Sequence, residues 1–172
     1  IGPTGLTGTV GCMASNRSTG DVYVIDGQNL YTLDITTGAT TLVGGIGGGS
    51  ELWVGLACDN NGNLYVHGIS SDVIWTIDPS TGAGTLLGPT GVNANYAQDM
   101  ACDPATGIVY MAYYGGGLNG ELRIVDTSTG ATSPVGAFEG GAEVTILAFP
   151  GSASGSGSWL TLDYYENIVA PG

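Results

Sequence analysis

Ile74-Trp-Thr-Ile-Asp-Pro-Ser-Thr-Gly-Ala-Gly-Thr-Leu-Leu-Gly88 reads as two short strands around a tight turn, and the chain writes it three times. The other copies are Leu30-Tyr-Thr-Leu-Asp-Ile-Thr-Thr-Gly-Ala-Thr-Thr-Leu-Val-Gly44 and Leu122-Arg-Ile-Val-Asp-Thr-Ser-Thr-Gly-Ala-Thr-Ser-Pro-Val-Gly136. Self-similarity at a period of about 45 residues marks a repeat architecture. Each copy turns on Asp-x-x-Thr-Gly. The leading carboxylate bonds the N–H groups ahead of it, and the glycine takes a positive φ that other residues resist. Asp34, Asp78 and Asp126 are therefore expected as structural turn caps.

A second aligned set lies between these copies: Met13-Ala-Ser-Asn16, Leu56-Ala-Cys-Asp59, Met100-Ala-Cys-Asp103 and Ile146-Leu-Ala-Phe149. After the first three comes a turn, capped by Asn16, Asp59 or Asp103, and then a tyrosine-centred strand: Val22-Tyr-Val24, Leu64-Tyr-Val66, Val109-Tyr-Met111. One unit is thus four short strands in a meander. Strands such as Val73-Ile-Trp-Thr-Ile77 are apolar on both faces, which suits sheets stacked face to face around an axis better than a one-sided sandwich. The expected fold is all-β and propeller-like, with three complete four-stranded antiparallel blades near residues 9–44, 53–88 and 98–136 and partial blades at both ends.

At the front, Ile1-Gly-Pro-Thr-Gly5 matches Leu87-Gly-Pro-Thr-Gly91, so the chain opens on the tail of a fourth strand. At the back, residues 143–151 begin another blade. Rings usually close with four to eight blades, and three leave exposed faces and edges. Further blades or neighbouring copies of the chain are expected to cover them. Residues 152–158 have a Gly/Ser linker composition, and residues 159–172 offer one or two strands.

The combined pattern Leu-Ala-Cys-Asp, Leu-Tyr-Val, Ile-Asp-Pro-Ser-Thr-Gly, Leu-Leu-Gly resembles the propeller-like repeats of large secreted or surface-anchored bacterial proteins. Residues 159–172 resemble the opening strands of the Ig-like modules, of the BACON type, that follow such repeats. The resemblance implies an extracellular or cell-surface module with a binding or architectural role, and it brings no catalytic motif onto this chain.

Composition narrows the partners. The 172 residues include 32 glycines, fifteen acids and two bases, Arg17 and Arg123, for a formal charge of −13. Phosphate backbones and anionic lipid surfaces need clustered Lys and Arg, so neither nucleic acid nor a membrane surface is an expected partner. No apolar run is long enough for a spanning helix. Cys12, Cys58 and Cys102 match no metal or disulfide spacing and read as small apolar residues. Asn16-Arg17-Ser18 is a glycosylation sequon. The chain opens on Ile1 without a signal peptide, from which a processed or excised segment is expected.

The regular Asp-x-x-Thr-Gly turns share one end of the blades, and the irregular connections share the other. Function is expected at the irregular end, where loops vary while the scaffold holds. Trp53, Asn93, Tyr96, Tyr113 and Tyr114 gather there with Glu51, Asn95, Asp72, Asp99, Glu139 and Glu143. Aromatic rings beside amides suit a sugar or a peptide, while Trp53 and Tyr96 packed between blades is the competing reading. Asp59, Asn61 and Asn63 place oxygen ligands in close order for Ca²⁺, at a position where the other blades carry plain hairpin turns; no other cofactor is expected. The lone His67 reads as structural. The leading expectation is a non-catalytic extracellular structural or adhesive module, part of a larger propeller or of a multi-subunit, even filamentous, assembly. A carbohydrate- or peptide-binding propeller is the alternative, and a polysaccharide-active enzyme comes third.

Overall fold

The computed structural model describes residues 2–8, 10–95 and 98–150; Tyr96, the 152–158 linker and the 159–172 strands lie outside the described residues. Twelve strands account for nearly all the regular structure of the described residues. Blade 1 is β1 (Val10–Ser15), β2 (Val22–Asp26), β3 (Asn29–Leu33) and β4 (Thr40–Gly45). Blade 2 is β5 (Trp53–Cys58), β6 (Leu64–Gly68), β7 (Val73–Ile77) and β8 (Gly84–Pro89). Blade 3 is β9 (Asp99–Cys102), β10 (Val109–Tyr113), β11 (Glu121–Val125) and β12 (Thr132–Ala137). Each blade is a separate antiparallel sheet whose strands lie side by side in chain order. The fold is the expected all-β, propeller-like run of three blades.

The turns are built by the repeat's own residues. Asp34, Asp78 and Asp126 each accept the backbone N–H and the hydroxyl of the residue two positions on, Thr36, Ser80 or Ser128, at 2.8 and 2.6 Å. These bonds hold the Asp34 and Asp126 carboxyls down at about 2. Gly38, Gly82 and Gly130 close the turns at φ of 77 to 85°. Asp103 caps the β9–β10 turn through Ala105 N–H and the Thr106 hydroxyl.

A bulge recurs in every blade. The β3–β4 register runs Tyr31 to Leu42 and then Leu30 to Gly44, and the same skip occurs in blades 2 and 3. Val43, Leu87 and Val135 are thereby the extra residues, turned out of the ladder. Val43 and Leu87 use this to pack on the following blade's cluster.

Two apolar layers lie between the three sheets. Tyr23, Ile25 and Leu30 of blade 1 meet Leu56, Leu64, Val66 and Ile77 of blade 2. Tyr65, Ala57 and Ile74 of blade 2 meet Met100, Val109, Met111 and Val125 of blade 3. The inner strands β1, β5 and β9 line the axis in sequence, which is the arrangement of adjacent propeller blades.

The outer rims are joined by a backbone contact that repeats. The tails of β4 and β8 lie against the Thr-Gly turn of the next blade so closely that a Cβ at Gly44 would overlap the Thr81 carbonyl oxygen, and one at Gly88 that of Thr129. Two residues further on, Ile46 O accepts Gly84 N–H at 2.9 Å and Thr90 O accepts Thr132 N–H at 2.9 Å. Gly2 and Thr4 repeat the pattern on blade 1: Gly2 N–H donates to Thr37 O at 2.6 Å, and Thr4 O accepts Thr40 N–H at 3.2 Å. The front segment therefore occupies the place of a preceding blade's fourth-strand tail.

Candidate functional site

Each blade has a face turned toward the blade before it and a face turned toward the blade after it. The equivalent residues Met13, Leu56 and Met100 show what the ends lack. Leu56 and Met100 are 1% and 2% exposed under the preceding blade, whereas Met13 is 54% exposed. On the following side, Val43 and Leu87 are half-buried while Val135 is 54% exposed. Gly136, equivalent to Gly44 and Gly88, has nothing among the described residues within 4 Å of where a Cβ would stand. Phe138 O, equivalent to Ile46 O and Thr90 O, accepts Gly141 N–H of its own loop. The joint is complete twice, and its donor half stands open on blade 3.

Leu147–Phe149 lie where a fourth blade's inner strand would. Leu147 N–H donates to Asp99 Oδ2 at 2.9 Å, Phe149 packs on Tyr110 with ring centroids 5.1 Å apart, and Arg17 donates to Phe149 O at 2.9 Å. Tyr110 is the counterpart of Tyr23 and Tyr65, which cluster with Cys58 and Cys102. Phe149 thus stands at the cysteine position, one residue off the register in which Ile146-Leu-Ala-Phe149 aligns with Leu56-Ala-Cys-Asp59. The tyrosine contact decides between the two, and it is invisible in sequence. Burial pushes the Asp99 carboxyl up, and Asp99 anchors this strand through Leu147.

The irregular end brings together part of the expected set. The Tyr113 hydroxyl donates to Asn93 O at 3.2 Å, and Tyr114 O accepts Asn95 N–H and Gln98 Nε2 at 2.7 and 2.8 Å. Asn93 and Asn95 are exposed, and Tyr113 and Tyr114 are half-buried. Arg123 sits 5.7 Å from the Tyr113 ring and pairs with Glu121. A cavity of about 890 Å³ opens nearby, lined by Val10, Leu52, Ile69, Asn95, Asp99 and Ile146. Gln98 ties the loop to the end of β10, and no motif marked it in the sequence.

Trp53 does not join this cluster as an exposed ring. It is 2% exposed, its Nε1–H donates to Gln28 Oε1 at 3.1 Å, and it meets Trp75 edge to face at 5.7 Å. The bulged, apolar β5 carries the ring inward to a packed position between blades, at the wall of the cavity. Tyr96 lies outside the described residues.

At the calcium candidate, Asp59 Oδ1 accepts Asn61 N–H and Asn63 N–H at 2.9 and 2.8 Å, and Asp59 Oδ2 accepts Asn63 Nδ2 at 2.9 Å. Both carboxylate oxygens serve the turn, and Asn63 faces Asp59 with its donor nitrogen. Among the described residues, no three His, Cys, Asp or Glu side chains gather as a metal would need. Cys102 is buried, and Cys12 and Cys58 are half-buried free thiols; burial pushes Cys58 up to about 11.

His67 is fully buried, its Nε2 4.0 Å from Asp72 Oδ1, and neither ring nitrogen has a hydrogen-bond partner among the described residues. Burial lowers it to about 4 against the opposing pull of Glu51. Neutral histidine is thus the folded form, and the unfolded chain binds the extra proton between about 6.5 and 4. Stability is full above pH 6.5 and falls as pH drops, by about 3 kcal/mol at pH 4. His67→Ile, the residue blade 1 carries here as Ile25, is expected to flatten urea midpoints across this window. An unchanged slope in the variant would place the effect elsewhere.

No family model and no curated protein matches the chain. Solved structures do. A structural genomics protein of unknown function from Bacteroides thetaiotaomicron aligns at TM-score 0.61 and 19% identity, over 76% of this chain and 33% of that one. Virginiamycin B lyase from Staphylococcus aureus aligns at 0.60 and 17%, over 83% and 46%. A nidogen/laminin complex aligns at 0.57 and 17%, over 74% and 48%. At these identities the likeness is one of fold, and the aligned part of the chain spans between a third and a half of each structure's length.

Proposed function

We propose that this chain is a non-catalytic extracellular module, structural or adhesive, whose blades form part of a larger propeller or multi-subunit assembly. The open joint on blade 3 carries this reading: Gly136 and Val135 stand free where Gly44, Val43, Gly88 and Leu87 are covered. A scaffold whose rims join blade to blade through backbone contacts serves extension and contact. Its position outside the cell rests on the resemblance to secreted repeats. The test is a turnover screen of the full chain on polysaccharide, glycoside and ester probes. No turnover is expected, and turnover lost in Asp99→Asn or Asp72→Asn would overturn the reading.

The second reading, a carbohydrate- or peptide-binding propeller, draws on the Asn93–Tyr113 and Asn95–Tyr114 contacts beside the 890 Å³ cavity. Glycan or peptide binding lost in Tyr113→Ala, with the fold intact, would favour it over the architectural reading.

A further inference from the structure

We infer that the cavity at the irregular end of the blades is a binding site for a small amphiphilic amine, an ammonium group joined to an apolar body. Asp99 is the counter-ion of the ammonium, and Val10, Leu52, Ile69 and Ile146 flank the body. The site is separate from both readings above, since a structural module and a glycan-binding one can each carry it, and it stands or falls without them. Its walls come from all three blades. Val10 opens β1, Leu52 and Trp53 stand at the start of β5, and Asp99 opens β9. These inner strands follow one another along the axis.

Two polar side chains in the wall select the ligand. Asp99 is half-buried, and its oxygens accept the backbone N–H groups of Met100 at 2.8 Å and Leu147 at 2.9 Å. No cation meets it among the described residues: Arg17 donates to Phe149 O, Arg123 pairs with Glu121, and His67 lies beside Asp72. Burial pushes the Asp99 carboxyl up, the mark of a charge without a counter-ion, and an ammonium alongside offsets that penalty. Gln98 is 3% exposed and lines the same cavity. Its Nε2 donates to Asn95 O at 2.9 Å and Tyr114 O at 2.8 Å. These bonds fix the amide's orientation, because a flipped amide would set its oxygen against two carbonyl oxygens. Oε1 is left buried without a hydrogen-bond partner among the described residues. A carboxylate and an amide oxygen are both acceptors, and a ligand N–H is the donor they lack.

The rest of the wall is mainly aliphatic. Val10, Leu52 and Ile146 are 50, 58 and 78% exposed, three large apolar side chains gathered at one opening, and covering them with an apolar body is favourable. The Trp53 ring is already enclosed, so the wall offers no open aromatic face among the described residues for a sugar to stack on. The space of about 890 Å³ falls within the range of small-molecule sites. A formal charge of −13 on the chain adds a long-range attraction for cations and a repulsion of anions.

Isothermal titration calorimetry of the full chain with naphthylmethylamine, naphthylmethanol and naphthoate tests this, since the three share a ring system and differ in the charge of the head group. The amine is expected to bind at least about tenfold more tightly than the alcohol, and the naphthoate most weakly. Asp99→Asn should bring the amine down to the affinity of the alcohol. Glu139→Gln, which removes one charge outside the cavity lining, should leave the preference intact. Leu52→Lys, at an exposed position on the rim, should weaken the amine at least about tenfold, and it carries the test where Asp99→Asn does not fold. No binding of the amine, or equal affinity for amine and alcohol, overturns the inference. So does a preference that persists in Asp99→Asn, one that disappears in Glu139→Gln, or amine binding indifferent to Leu52→Lys.

Discussion

Gly44→Ala is expected to lower stability by about 2 kcal/mol or more, while Gly136→Ala leaves it unchanged within a few tenths. The glycines are equivalent in the repeat, and neither has a positive φ, so backbone strain does not separate them. The next blade does. A Cβ at Gly44 would overlap the Thr81 carbonyl oxygen, and backbone in a packed rim cannot swing aside as a side-chain end can. At Gly136 the added methyl meets nothing within 4 Å among the described residues. Gly88→Ala should cost at least as much as Gly44→Ala, because its Cβ would overlap Thr129 O and Gly88 also sits at φ 158°. Urea midpoints of the three variants give the comparison. Equal tolerance at all three positions would mean the rims are not in contact.

Trp53→Ala is expected to have the largest effect of any single change, about 3 to 5 kcal/mol. The ring is fully enclosed, with Gly48 against one edge and Trp75 across it, and its N–H is bonded to Gln28. Truncation leaves a cavity between blades 1 and 2 and orphans Gln28 Oε1. For a chain of this size that loss lowers the melting temperature by about 10 °C. Thermal unfolding followed by tyrosine and remaining tryptophan fluorescence measures it. A stable Trp53→Ala protein that loses glycan binding would instead return Trp53 to the ligand site.

The blades were legible because their determinants are local. An Asp cap, a hydroxyl two residues on and a Gly at positive φ lie within five residues, and the structure shows those bonds at 2.6 to 2.8 Å. The match of Ile1-Gly-Pro-Thr-Gly5 to Leu87-Gly-Pro-Thr-Gly91 likewise located a fourth-strand tail, which Thr4 and Thr40 display. The recurrent bulge was not legible, since Val43, Leu87 and Val135 read as ordinary strand residues until the pairing skips them. Nor was the register of Leu147–Phe149, which a tyrosine one blade away sets. Trp53 was ambiguous for a physical reason: a large amphipathic ring serves a core and a binding face equally, and only the strand's direction decides. Asp59 was ambiguous in the same way, since a carboxylate that caps a turn and one that holds Ca²⁺ use the same oxygens.

The account turns on whether the following face of blade 3 is open while those of blades 1 and 2 are covered. Cysteine placed in turn at Val43, Leu87 and Val135, at concentrations below association, reads this directly through the rate of labelling by a water-soluble thiol reagent under native conditions. Val135→Cys is expected to label at close to the rate of the unfolded chain, and Val43→Cys and Leu87→Cys at least about tenfold more slowly, in keeping with their need for local opening. Similar protection at all three positions would contradict the account by showing a ring closed within one chain, and similar exposure at all three would contradict it by showing blades that do not stack.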